Sequence, residues 1–461
     1  MKIAFYTLGC KVNQYETQAL KESFLRRGFE VVDEHGLADI YVVNTCTVTG
    51  LADRKSRQYI RRMKKQNPES IVAVIGCYAQ VNPEEAAAII GVDLVVGNNE
   101  KKALPEYIDE LVEKKQGKRE EGGTSMHILP REELLEYEES GIITSMESRT
   151  RAYIKIQDGC NQFCSYCIIP YARGPIRSRA CRDAVKEAES LIKQGFKELV
   201  LTGINTALYG MDKNFRVGEE YEDELEDVYG IEVIVKLIND LPGDFRIRLS
   251  SLEPTVINPM LAKRLLKYDK LCHHLHLSLQ SGSDRILKSM NRHYNRAGYL
   301  EIVKVLREAD PHYGLTTDVI VGFPGESPED FRDSIDMIHR VGFLKAHVFP
   351  YSKRQGTQAA NLTEQVDPQT KKARSAELIR ESEDSASDFL RGTPGTSRRV
   401  LFEEYDEESS TVSGYSDNYI KVYSQVSDEK QGQELLNTLQ EVMITEVYSD
   451  GVKGKLTMKG E

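Results

Sequence analysis

The sequence predicts an α/β protein in three parts: a small N-terminal α/β domain, a central partial (β/α)6 barrel and a small C-terminal β-barrel. Two patterns carry this prediction. Strand-like apolar runs alternate with helix-periodic stretches through residues 1–115 and again through 149–385, as parallel sheets flanked by helices require. Beyond Arg391 the helical period stops, and about five short strand-like runs follow, separated by turn residues. A chain of 461 residues has room for about three such cores.

In the first part, strands are expected at Lys2–Leu8, Ile40–Asn44 and Ile71–Ile75, with helices near 14–27, 51–66 and 83–90. Each strand runs into a cysteine: Cys10, Cys46 and Cys77. The carboxyl ends of parallel strands lie along one edge, so these thiols converge in space. Gly9 and Gly76 permit the close backbone approach that convergence needs. The plainer alternative is three buried structural cysteines. Residues 116–148 are polar and weakly periodic, and read as a connection with a short helix near 131–138.

In the second part, strands are expected near 152–157, 198–203, 246–251, 275–280, 315–321 and 345–349. The first delivers Cys160, Cys164 and Cys167, spaced Cys-x3-Cys-x2-Cys. Fe–S clusters are commonly held by four thiolates, so a [4Fe–4S] cube held here keeps one iron open. An open iron can chelate an amine and a carboxylate, and S-adenosylmethionine (SAM) offers both. A zinc site would ask for a second ligand pair, and none follows. A disulfide framework does not suit eight cysteines in a chain of this length. His274 and His276 fall on one strand face and, with His273, suit barrel lining better than metal ligation. Cys181 and Cys272 are isolated and read as small buried hydrophobes.

In the third part, strand-like runs fall at Arg399–Glu404, Ser410–Tyr415, Tyr419–Tyr423, Glu441–Val447 and Gly454–Met458, a small barrel of the kind that presents strands and loops to nucleic acid. Arg398, Arg399 and Lys421 are candidates for phosphate contact, and Tyr415 and Tyr419 for base stacking.

The composition is 40% hydrophobic and 29% charged, ordinary for a globular protein. No apolar run nears the ~20 residues of a membrane span, so no membrane partner is expected. The opening residues read as a strand rather than a signal peptide, and reduced thiols point to the cytoplasm. The net charge of −11 argues against nucleic acid only until its distribution is considered. Acid gathers at 132–139, 219–227 and 403–408, whereas Arg54, Arg57, Arg61 and Lys65 share one helical face, either a solvated face or a contact surface. Arg173, Arg177 and Arg179 follow the second thiol loop and are candidates for phosphate or substrate contact.

The runs Leu8-Gly-Cys-Lys-Val-Asn-Gln-Tyr-Glu-Thr17, Val43-Asn-Thr-Cys-Thr-Val48 and Gly76-Cys77, together with the second triplet, resemble the methylthiotransferase family of radical SAM enzymes over nearly the whole chain. The opening Gly-Cys-Lys-Val-Asn-Gln resembles the branch acting on N6-threonylcarbamoyladenosine (t6A) in tRNA. The isopentenyladenosine branch typically shows Gly-Cys-Gln-Met-Asn there, and the branch acting on ribosomal protein S12 shows Gly-Cys-Pro-Lys-Asn. Gly414–Val422 resembles the TRAM domain, an RNA-binding barrel.

The resemblance implies an N-terminal methylthiotransferase domain (1–115), a linker (116–148), a radical SAM domain (149–385) and a TRAM-like domain (391–461). It implies two [4Fe–4S] clusters, one on Cys160, Cys164 and Cys167, and an auxiliary one on Cys10, Cys46 and Cys77. It places SAM against Tyr166, Thr202, Gly203, Asn205, Ser251, Glu253, Gln280, Gly322 and Phe349, with Asp318 toward the substrate, and Arg173, Arg177 and Arg179, from their place beside the thiol loop, are candidates to pair with the carboxylate of a threonylcarbamoyl group. One SAM donates a methyl group and another is cleaved to a 5′-deoxyadenosyl radical. The implied product carries a methylthio group at C2 of t6A at position 37 of tRNA (ms2t6A). An electron donor such as a flavodoxin or ferredoxin, and a sulfur source, are implied partners. The rival expectations are the same chemistry on isopentenyladenosine tRNA or ribosomal protein S12, a non-catalytic RNA-binding Fe–S protein, and zinc on the N-terminal thiols.

Overall fold

The computed structural model describes residues 1–116, 123–139, 141, 143 and 150–457. Its first six strands are β1 (Lys2–Thr7), β2 (Glu30–Val32), β3 (Ile40–Thr45), β4 (Ile71–Gly76), β5 (Leu94–Val96) and β6 (Ser125–His127). They form one parallel sheet in the order β2-β1-β3-β4-β5-β6. Every residue of β3 and β4 is buried, as parallel strands covered on both faces must be. Ile40, Val42, Ala73 and Ile75 pack with Leu20 and Phe24 of the helix Lys11–Arg26. Their alternates Tyr41, Val43, Val72 and Val74 pack with Ile60 and Met63 of the helix Gly50–Gln66 on the other face. The strand order reverses between β1 and β3, which opens a crevice at their carboxyl ends.

The N-terminal domain reaches further than expected from the sequence, because β6 pairs in register with β5. The expected helix at 131–138 is a single 3-10 turn at Arg131–Glu133. Residues 117–122, 140, 142 and 144–149 of the expected linker lie outside the described residues.

The central part begins with β7 (Arg151–Lys155), followed by β8 (Gln157–Asp158) and β9 (Arg177–Ser178), a short antiparallel ribbon around the second thiol loop. Then come β10 (Glu198–Thr202), β11 (Arg246–Leu249), β12 (Ser251–Leu252), β13 (His274–Leu277), β14 (Gly314–Val321) and β15 (Lys345–Pro350). The parallel runs β11-β10-β7 and β12-β13-β14-β15 meet where β11 gives way to β12 at Ser250, and Ile247 bridges to Leu271. The result is an open six-unit barrel whose edges are β7 and β15, close to the expected strand positions. Among the described residues, no helix is long and apolar enough to cross a membrane.

After the helix Pro368–Arg391, the strands β16 (Ser397–Asp406), β17 (Thr411–Ser416), β18 (Lys421–Gln425), β19 (Leu439–Tyr448) and β20 (Gly451–Leu456) close into a barrel. A helix at Glu429–Leu435, capped by the Asp428 side chain, falls where only turns were expected. Several residues assigned from sequence to RNA instead dock this barrel onto the central one. Arg398 is buried and forks onto both carboxylate oxygens of Asp310, at 2.7 and 2.9 Å. Arg399 pairs with Asp244. Tyr415 and Tyr419 stack with each other under Arg151 and Arg248, each guanidinium 4.7 Å from a ring centroid. Arg246 and Arg248 donate to the carbonyls of Tyr415, Ser416 and Asp417. Arg398→Ala therefore leaves Asp310 short of its partner, and is expected to weaken docking by about 2 kcal/mol. Limited proteolysis of the released barrel at lower denaturant would report it.

Candidate active site

Cys10, Cys46 and Cys77 follow β1, β3 and β4, at the crevice where the strand order reverses. Gly9 lies at φ 102°, and a Cβ there would stand 2.7 Å from Cys46 Cβ and 2.8 Å from its Sγ. The turn before Cys10 must therefore be glycine for the two thiols to approach. Burial, followed by the neighbouring Cys77, pushes the Cys46 thiol up to about 12. Cys10 is exposed at the crevice, yet the protein packed around it raises its thiol too, with Arg173 opposing the rise. Cys77 contributes to the rise at both Cys46 and Cys10, and a bound cationic centre would favour their thiolates. Asn98 Nδ2 and Arg173 Nε lie 3.7 and 3.3 Å from Cys77 Sγ, ready to donate to a thiolate. Among the described residues, no three His, Cys, Asp or Glu close around a single metal ion. A four-iron cube is wider than one ion and holds its thiolates further apart.

Cys160, Cys164 and Cys167 share the loop between β8 and the short helix Ile169–Arg173. Gly159, at φ 72°, starts the loop, and a Cβ there would collide with the Pro175 carbonyl. Phe163 takes a left-handed backbone at φ 46°, and the Cys167 amide donates to the Cys164 carbonyl at 2.9 Å, which folds the loop on itself. Burial pushes Cys160 up to about 11, and burial with the neighbouring Cys164 raises Cys167. Arg292, which sequence reasoning missed, places Nη1 3.2 Å from Cys164 Sγ and pairs with Glu253 at 3.3 Å. It stands 128 residues from Cys164, and no local spacing signals the contact.

Three voids join the two thiol sets. One of about 400 Å³ is lined by Cys10, Lys11, Thr202, Gly203, Ser250 and Ser251. A second, about 610 Å³, is the barrel lumen; it shares Lys11, Ser250 and Ser251 with the first and continues past His276 to Asp318 and Phe349. A third, about 250 Å³, shares Asp318 and Phe349 with the lumen and is walled by Tyr166, Cys167 and Gln280. Val48 and Thr49, just beyond Cys46, form part of its opposite wall. The voids adjoin through shared wall residues and form one chamber, which Cys10 of the first thiol set and Cys167 of the second line directly. A more open groove of about 720 Å³ over Arg57, Arg61, Lys64 and Lys65 carries no thiol and lies apart from this chemistry.

The other candidates take up varied positions. Asn205 Oδ1 and Glu253 Oε2 are buried without partners, as oxygens awaiting a polar ligand would be. Gln280 holds a left-handed backbone at φ 61°, its amide donating to the Asp318 carbonyl at 2.8 Å. The Tyr166 ring packs edge-on against Phe323 at 6.5 Å. Asp318 accepts from His276 at 3.1 Å, and His274 and His276 both bond Thr316, which makes these histidines lumen lining. At Gly322 the space of a Cβ is filled by Lys371 and the amide donates to Glu326 at 2.7 Å, so its Cα faces the helix Pro368–Arg391 rather than an open pocket.

The arginine assignments need correction. Arg173, Arg177 and Arg179 are 0%, 3% and 0% exposed. Arg173 binds Glu16 at 2.5 Å, Asp158 at 3.2 Å and Asn13 at 2.7 Å. Arg177 donates to the carbonyls of Leu134 and Arg173. Arg179 is held by Glu139 and Glu187. Glu16, Leu134 and Glu139 among their partners come from distant parts of the chain, and none of the three arginines lines the three voids.

Two family models match the chain: the Radical SAM superfamily over residues 154–338 and the Uncharacterized protein family UPF0004 over residues 2–97. The chain is 42% identical, over 91% of its length and 89% of the relative's, to the threonylcarbamoyladenosine tRNA methylthiotransferase MtaB of Bacillus subtilis. It is 36% identical, over 81% of its length and 79% of the relative's, to the tRNA-2-methylthio-N(6)-dimethylallyladenosine synthase of Clostridium tetani. Among solved structures, it resembles the radical S-adenosylmethionine methyltransferase TsrM of Kitasatospora setae, with a TM-score of 0.57 and 16% identity, covering 78% of this chain and 77% of that one. That likeness concerns the fold.

Proposed function

From the premise that this chain belongs to the methylthiotransferase family of radical SAM enzymes, we propose that it inserts a methylthio group at C2 of t6A at position 37 of tRNA, giving ms2t6A. It is a transferase, and its radical SAM domain takes SAM and a [4Fe–4S] cluster. The observation that supports the finer reading is the row of adjoining voids, with Cys10 of one incomplete thiol set lining one end and Cys167 of the other lining the opposite end. When bound, a cube with SAM supplies a 5′-deoxyadenosyl radical for an unactivated C–H bond, and a second cube with an open iron supplies the sulfur.

The chain's own residues hold and orient. Cys160, Cys164 and Cys167 would hold the first cube, and Cys10, Cys46 and Cys77 the second. Arg292 and Arg173 donate N–H to one thiolate in each set, fixing the ligand's direction and offsetting its charge. Asn205 Oδ1 and Glu253 Oε2 accept from the hydroxyls and ammonium of SAM. Phe349 and Asp318, common to the lumen and the cluster-side void, receive the base, Phe349 by stacking and Asp318 by accepting an N–H. A base enters such a pocket only when splayed out of its strand, as single-stranded anticodon loops allow. A small redox protein such as a flavodoxin or ferredoxin supplies electrons, and a sulfide donor restores the sulfur.

The likeness to a dimethylallyladenosine synthase favours one second reading, the same insertion on isopentenyladenosine tRNA. Anaerobic enzyme given each tRNA, with mass analysis of the released nucleosides, separates the two. The expected result is a methylthio gain on t6A alone; a gain on the isopentenyl base alone rejects the t6A reading. The same preparation should carry about eight irons per chain, whereas about four with zinc would reject a second cube.

A further inference from the structure

Lys11 directly follows Cys10 at the start of the helix Lys11–Arg26, and its side chain lines both the void at Cys10 and the barrel lumen. In the lumen it shares the lining with His274 and His347. The other charges near it are already committed. Arg248 pairs with Glu198 at 2.9 Å, Lys421 lies 3.8 Å from Asp450, and Asp318 accepts from His276. Lys11 has no carboxylate within ion-pair distance among the described residues. Lys11 is exposed, so its ammonium is not a buried charge, but lining an open void with no such carboxylate in reach it is free to pair with an incoming anion.

The base in the proposed reaction carries such an anion. The ureido N–H of a threonylcarbamoyl group folds back onto N1 of the adenine, and C2 is N1's other neighbour. The carboxylate therefore extends on the edge of the base that must face the N-terminal thiols, where the Lys11 ammonium stands. The three arginines earlier suited to this task by sequence are buried in internal ion pairs and leave it vacant.

We infer that Lys11 binds the carboxylate of the N6 substituent and so selects the threonylcarbamoyl base over neutral N6-modified adenines. This rests on the t6A reading above. The test is equilibrium binding, by fluorescence anisotropy, of anticodon stem-loop RNAs to the anaerobically reconstituted holoenzyme. Three RNAs are compared: t6A, its neutral methyl ester, and unmodified adenosine. Wild-type enzyme should bind the t6A RNA about tenfold more tightly than the ester, as a charge-assisted contact provides. Lys11→Gln should bring that ratio to about one, with ester binding, SAM binding and iron content unchanged, and Lys11→Arg should retain most of the preference. A Lys11→Gln enzyme that keeps the wild-type ratio overturns the inference. So does an equal loss for both RNAs, a fall in SAM affinity alone, or a loss of iron, which would make Lys11 a support for the cluster loop. If wild-type enzyme itself shows no preference for t6A, the substrate reading fails, and this inference with it.

Discussion

Replacing Cys164 with alanine is expected to reduce SAM cleavage to the level of a protein-free control, whereas replacing Cys46 should leave cleavage near wild type and abolish methylthio insertion. The asymmetry follows from where the two thiols sit. Cys164 lies within one loop between Gly159 and the helix Ile169–Arg173, and its Sγ is held by Arg292, itself paired with Glu253. Removing it takes a ligand from a set of three that has no nearby substitute among the described residues. Cys46 follows β3 of a separate sheet and shares no loop with the first set. Quantifying 5′-deoxyadenosine together with the modified nucleoside gives both readouts from one reaction. A Cys46→Ala enzyme that still made the methylthio product would refute the division of labour between the two triads. Iron content and circular dichroism distinguish a missing cluster from a missing fold.

Most of this arrangement was legible in the sequence because its signals are local. Short continuous apolar runs placed β3, β4 and β10 to within a residue or two, and a cysteine after each of β1, β3 and β4 is a positional signal that survives any error in strand ends. Other features were illegible for the opposite reason. β2, β5 and β6 are three residues long, too short to show a period. Arg173, Arg177 and Arg179 stand beside the thiol loop in sequence, but the partners that bury them arrive from Glu16, Leu134 and Glu139. Tyr415, Tyr419 and Arg398 have the composition of an RNA surface, and only the docked position of the barrel reveals that they serve its attachment. Nor does the sequence show that, among the described residues, no carboxylate comes within ion-pair distance of Lys11, a property decided by every wall of the lumen together.

Substituting Arg173 with methionine is expected to destabilise the protein by about 3–5 kcal/mol, because it breaks one member of a buried ionic network and leaves the others short. Glu16, from the N-terminal domain, receives Arg173, Lys101 and Lys155 at 2.5, 2.5 and 2.8 Å, and Asp158 receives Lys155 at 2.7 Å. The network joins the helix after Cys10 to the end of the second thiol loop, so it also fixes the distance between the triads. Despite burial, the facing cations hold both Glu16 and Asp158 well below the usual carboxylate range. Groups with depressed folded values contribute stability that is present above the unfolded value near 4, and lost as pH falls through the folded one. The wild-type junction should therefore persist into acid, and the Arg173→Met junction should fail nearer pH 4 in a pH-dependent denaturation series. Arg173 also donates to Cys77 Sγ at 3.3 Å. Losing that N–H···S contact should lower the reduction potential of a cluster on the N-terminal thiols while leaving the other cluster unchanged, since hydrogen bonds to sulfur raise such potentials. An unchanged potential with lowered stability would confine Arg173 to the junction. A shifted potential in Arg173→Lys, which keeps the charge, would place the effect in the hydrogen bond itself.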